Sequence, residues 1–188
     1  MRKLIAFEWI TIDGVFDADP EYFEKWFHPY HSDERAEFIS KTIEDSGALL
    51  LGGNTYRMLA PYWSGQETDE MGPASKLNSM PKYVVSSTLE AAQWNNTRKI
   101  IRENVAEEIA GLKQQSGGDI LITGSGTLVR SVMETGLVDE FRLLVHPVVM
   151  GKGQQFFQNG LPFTKLNLMK SQPLPLGVIA LFYKTNNN

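Results

Sequence analysis

Apolar positions follow two rhythms along this chain. One is a set of short, nearly continuous runs bounded by glycine or polar turns: Lys3–Ile10, Ala48–Leu51, Lys82–Ser86, Lys99–Ile101, Asp119–Thr123 and Phe141–Val145. Such runs, rich in β-branched residues, predict buried strands. The other rhythm recurs every three or four residues and predicts helices. Ser32 is placed to cap a helix from Asp33 to about Asp45, with Phe38, Ile39, Thr42 and Ile43 on its buried face and Gly47 beyond its end. A short helix follows Gly52-Gly53-Asn54-Thr55 and is expected to end near Pro61, and another lies near Ser75–Met80. Val105, Ile109 and Leu112 mark a helix over 104–115; Leu128, Val129, Val132 and Met133 mark one that Gly136 closes. Phe163–Ser171 and Val178–Lys184 read as an antiparallel pair, with Pro173, Pro175 and Gly177 between them.

Strands alternating with helices predict an α/β fold, a mainly parallel sheet covered on both faces, with the closing pair added at one edge. No linker divides the chain, so residues 1–188 are expected to form a single domain. Ligands of such sheets bind beyond the carboxyl ends of the strands. Three polar turns fall there: Gly52–Thr55, Ser86-Ser87-Thr88 and Gly124–Thr127. The last is the most informative. It links the run DILIT to a helix, and a glycine turn there lets backbone and first-turn amides approach a phosphate.

Composition narrows the classes. The chain has 188 residues, 42 % of them hydrophobic, which is ample for a folded core. Its net charge of −4 and the lack of a basic cluster argue against nucleic acid as a partner. No apolar run approaches the roughly 20 residues of a membrane helix, and the basic start MRK leads into a short apolar stretch broken by Glu8, read as a first strand rather than a targeting segment. The absence of cysteine excludes disulfides and thiolate metal sites and favours a cytoplasmic address.

Residues 15–32 (VFDADPEYFEKWFHPYHS) carry the densest mixture of aromatics and acids and read as an irregular, lid-like segment. Residues 64–74 read as a loop. If the protein reduces a ring it needs a proton donor, and Asp17, Asp19, Glu21 and Glu24 are candidates among which the sequence does not choose. Trp9, Trp26, Tyr30, Tyr56, Tyr62 and Trp63 are candidates for stacking on a flat ring or for packing the core. His28 and His31 lack a third nearby ligand, so no metal site is expected. His146, between an apolar strand and Pro147, reads as a core histidine, and Gly151-Lys152-Gly153 as a turn, or alternatively as a cation facing a phosphate of the substrate.

TIDGV at 11–15, LLLGGNTY at 49–56, KYVVSSTL at 82–89 and ITGSGTLVRSVMETGLVDEFRLLVHPVVMGKGQQFF at 122–157, in this order, resemble the dihydrofolate reductase-like superfamily, and within it the riboflavin-biosynthesis reductase (RibD C-terminal-like) branch. The resemblance implies a three-layer α/β/α fold with a mixed, mainly parallel sheet of about eight strands. It further implies an NADPH-dependent reductase acting on a pyrimidine- or pteridine-like small molecule, similar to 5-amino-6-(5-phosphoribosylamino)uracil reductase, and a homodimer. By position, Gly52, Asn54 and Thr55 would meet the cofactor phosphates, Ser86 and Ser87 the adenosine side, and Gly124, Ser125, Gly126 and Thr127 the pyrophosphate and nicotinamide half. Asp13, Gly14 and Trp26 would lie on the substrate side. The family pattern after LLG usually carries Arg where this chain has Gly53, with Arg57 one helical turn later, so NADH stands beside NADPH as a possible cofactor. Two other readings accompany this one: a dihydrofolate reductase, and a nucleotide-binding protein without catalysis.

Overall fold

The computed structural model describes residues 1–16, 24–66, 73–158 and 160–186. Asp17, Asp19 and Glu21 lie outside this set, as does much of the 64–74 loop. Eight strands form one sheet: β1 (Leu4–Thr11), β2 (Ala48–Gly52), β3 (Lys82–Val85), β4 (Thr97–Ile101), β5 (Ile120–Ile122), β6 (Glu140–His146), β7 (Leu166–Pro173) and β8 (Ile179–Thr185), in the order β4-β3-β2-β5-β1-β6-β8-β7. The first six pair in parallel. β8 runs antiparallel to both β6 and β7. This is the mixed, mainly parallel sheet with an antiparallel C-terminal pair that the apolar runs predict.

Among the described residues these α-helices flank it: α1 (Asp33–Glu44), α2 (Gly53–Ser64), α3 (Ala74–Ser79), α4 (Val105–Gln114) and α5 (Gly126–Glu134). α2 runs past Pro61 to Ser64 rather than ending there. Ser32 caps α1 as expected, its hydroxyl accepting from the Arg35 amide. Alternation along β1 divides the core in two. Leu4, Ala6 and Ile10 pack with Ile109, Leu112, Val129 and Val132 beneath α4 and α5. Ile5 and Phe7 pack with Ile43, Leu49, Leu51 and Leu77 on the opposite face. By the same alternation Glu8 projects toward the α5 side of the sheet and Trp9 toward α1.

One buried cation ties the β3 end together. Lys82 is fully buried, and its ammonium donates to the carbonyls of Asn78, Met80 and Asn95 at 3.2, 3.0 and 2.7 Å. These bonds satisfy all three of its N–H groups.

Candidate cofactor and substrate site

Parallel pairing puts the carboxyl ends of β2, β3 and β5 side by side, and the three polar turns meet there. The Gly52 amide donates to the Gly124 carbonyl at 3.2 Å. A Cβ on Gly52 would stand 2.5 Å from the Ser125 hydroxyl, and one on Gly124 would stand 2.7 Å from the Thr55 hydroxyl. Gly124 also has φ +73°, a conformation suited to glycine. The backbones approach this closely because no side chain intervenes.

The hydroxyls at the turns serve the fold. The Ser125 side chain caps α5 by accepting from Leu128, and Ser86 accepts from the amides of Thr88 and Leu89. The Ser87 carbonyl accepts from Arg102 and the Asn54 side chain from Arg57. Thr127 accepts from Arg130. The Gly126 and Thr127 amides, at the start of α5, have no protein acceptor among the described residues. Free first-turn amides on an α-helix suit an anion. Arg57, bridging Asn54 and Thr88, and Arg102 add positive charge to this edge of a chain whose net charge is −4. The ring of Phe16 rests against Gly126, where a Cβ would strike it.

Glu8, which the sequence did not point to, meets the candidate site at Gly124. Its carboxyl is 4 % exposed and accepts from the Gly124 amide at 2.6 Å. Burial pushes its pKa up to about 8, against the opposing hydrogen bond from Gly124. The local signal was an acid inside the apolar run LIAFEWIT. Its partner is 116 residues away.

The residues expected on the substrate side, Asp13, Gly14 and Trp26, make the following contacts. Asp13 faces the loop after β6: it accepts from the Thr11 hydroxyl at 2.5 Å and from the Met150 and Gly151 amides at 3.2 and 2.8 Å. Burial works upward on this carboxyl, but the hydrogen bonds from Thr11, Gly151 and Met150 hold its pKa below the ordinary value. It anchors a loop. Trp26 is fully enclosed, its ring 5.2 Å from that of His146, so it offers no open face for stacking. Gly14, at φ +79°, donates to Thr11 and accepts from Phe156, completing the turn. Glu24 is exposed beside His28. Among the described residues no cluster of three His, Asp or Glu side chains is arranged to hold a metal, and no helix is long and apolar enough to cross a membrane.

The RibD C-terminal domain family model matches residues 2–180. The chain belongs to this family. Among curated relatives it is similar to YyaP of Bacillus subtilis (strain 168), an uncharacterized protein, with 34 % identity over 110 residues that cover 58 % of this chain and 57 % of YyaP. Two solved structures share the fold. The diaminohydroxyphosphoribosylaminopyrimidine deaminase/5-amino-6-(5-phosphoribosylamino)uracil reductase of Thermotoga maritima aligns with TM-score 0.67 at 12 % identity, over 98 % of this chain and 56 % of that one. Dihydrofolate reductase from Enterococcus faecalis, complexed with NADP(H), aligns with TM-score 0.62 at 14 % identity, over 98 % and 97 %. The RibD C-terminal fold therefore spans a little over half of the Thermotoga protein. At Gly53, where the resemblance leads to the expectation of an arginine, there is little room for a side chain. A Cβ there would lie 2.6 Å from the Ser86 hydroxyl.

Proposed function

We propose that this protein is an NAD(P)H-dependent reductase that delivers hydride to a planar pyrimidine- or pteridine-like ring. The observation that carries the reading is the meeting of three side-chain-poor turns at the ends of β2, β3 and β5, beside the unpaired amides of Gly126 and Thr127. The residues fit a dinucleotide. Gly124 to Thr127 would receive the pyrophosphate, Gly52, Asn54 and Thr55 would line its path, and Ser86 and Ser87 would face the adenosine end. Arg57 and Arg102 flank that end, and a guanidinium matches a phosphate in both charge and geometry. This favours NADPH over NADH although Gly53 carries no side chain.

A bound reduced nicotinamide supplies the hydride. The protein's share is placement of the ring, exclusion of water and maintenance of the turn that holds the cofactor. Glu8 serves the last of these through Gly124. Membership of the RibD C-terminal family and the NADP(H)-bound relative of the same fold support the reading. Titration of NADPH by quenching of tryptophan fluorescence tests it, followed by turnover with 5-amino-6-(5-phosphoribosylamino)uracil and dihydrofolate. Failure of both NADPH and NADH to bind overturns it.

We also propose a homodimer formed through β7. This edge strand exposes Leu168 and Met169, at 56 % and 48 %. An unpaired apolar edge is a liability that association removes.

A further inference from the structure

Beneath the segment Glu24–Ser32, on the α1 face of the sheet, lies a buried cation with no counter-ion among the described residues. Arg35 is 3 % exposed. One of its terminal nitrogens donates to the Phe27 carbonyl at 2.9 Å and to Nε2 of His146 at 3.1 Å. Nε has no partner, and no carboxylate of the described residues reaches the guanidinium. Burial alone moves its pKa, downward.

His146 does not neutralise it. The imidazole is fully buried, and burial, followed by the charge of Arg35, lowers its pKa to about 4. It is therefore neutral near pH 7, with Nδ1–H donating to the Leu144 carbonyl at 3.2 Å and Nε2 accepting from Arg35. The charge also sits in the first turn of α1, where the helix dipole disfavours a cation.

A second orphan donor lies nearby. Nε1 of Trp9 on β1 is buried without an acceptor. Both groups surround one ring: Phe27 lies 4.3 Å from the Arg35 guanidinium carbon and 5.9 Å from the Trp9 ring. Phe27 is half-exposed, and its ring lies against both groups. Buried donors without acceptors are rare, and a buried charge without a partner is costlier still.

We infer that Arg35 and Trp9 form a recognition site for a flat heterocycle bearing an anionic or enolate-like ring oxygen, which takes the place now filled by the Phe27 ring. The inference rests on the reductase reading and deepens it by giving the substrate's charge. The site selects a ring rich in oxygen acceptors and rejects a protonated, donor-rich ring, because the guanidinium repels a cation and offers it nothing to pair with.

Three flat pyrimidines of similar size separate the possibilities: barbiturate (anionic near neutral pH), uracil (neutral) and 2,4-diaminopyrimidine (donor-rich and readily protonated). Their dissociation constants are measured by calorimetry with and without NADPH. Barbiturate is expected to bind at least about tenfold tighter than uracil, and diaminopyrimidine weakest, since a charge-assisted pair is roughly twice as strong as a neutral one. Arg35→Met should remove about tenfold or more of the barbiturate affinity while leaving NADPH binding unchanged. It should also raise the melting temperature of the ligand-free protein, because an unpaired buried charge is gone. A merely structural arginine predicts a lower melting temperature. Phe27→Ala should tighten barbiturate binding by clearing its place. The parent's own order needs no variant to fold.

Equal affinity for the three rings, or preference for diaminopyrimidine, overturns the inference. If NADPH binds in the same experiment, the reductase reading survives that result. Competition by inorganic phosphate at the same concentration as barbiturate would assign the site to a phosphate group and overturn the ring-oxygen assignment.

Discussion

Replacing Glu8 with Gln should make the protein more stable at alkaline pH and leave it little changed in acid. Folding holds this carboxyl in its protonated form. The unfolded chain releases the proton as pH rises through about 4.5, and the folded chain only near 8. Between these values the unfolded state binds fewer protons, so stability falls with rising pH; it is level below the lower value and above the upper one. At about 1.4 kcal/mol per tenfold change in proton affinity, the full span is of the order of 5 kcal/mol. That is a large share of the roughly 5–15 kcal/mol that holds a domain together. A glutamine carbonyl can accept the Gly124 amide as the protonated acid does, and it cannot ionise. Urea unfolding of both proteins across the range from about pH 5 to about pH 8.5 reads the effect. Their difference should be small at the acid end and grow to several kcal/mol in favour of Glu8→Gln at the other. His146 acts with the opposite sign, adding stability as pH rises from about 4 toward 6.5, but it is present in both proteins and cancels. Parallel curves would refute the claim that Glu8 is held protonated.

Arg57→Ala should weaken NADPH binding by about tenfold and NADH binding by less than about twofold, read as the ratio of dissociation constants. Gly53→Arg should not improve the preference for NADPH: its Cβ meets Ser86, so denaturant unfolding should show a loss of about 1–3 kcal/mol. Leu168→Lys combined with Met169→Lys should shift the species seen by light scattering from dimer to monomer with the fold retained by circular dichroism.

The order of strands and helices was legible because each was written in local signals. Ser32 before α1 and Gly136 after α5 are read within a few residues of the elements they bound. The three turns were legible for the same reason, and so was their place at strand ends. What each side chain does there was not. Asp13 looked free to face a ligand; only the chain's return at Met150 and Gly151 shows its carboxylate engaged. Trp26 and Phe27 are neighbours in one aromatic run, yet one is enclosed and the other half-exposed, a distinction set by His146, Trp9 and Arg35 from three other elements. Nothing in the sequence singles out Arg35 within the first turn of its helix. Its partner His146 stands 111 residues away, and the lack of a counter-ion among the described residues is a property of the packed site. Glu8 was visible only as a break in an apolar run.

Amide NMR of the nitrogen-labelled protein during titration with NADPH tests the central claim most directly. Saturable shifts are expected at Gly52, Asn54, Thr55, Ser86, Ser87 and Gly124–Thr127, with the Gly126 and Thr127 amides among the largest because they gain an acceptor. Saturable shifts confined to another part of the sheet, or no shifts with either NADPH or NADH, would contradict it.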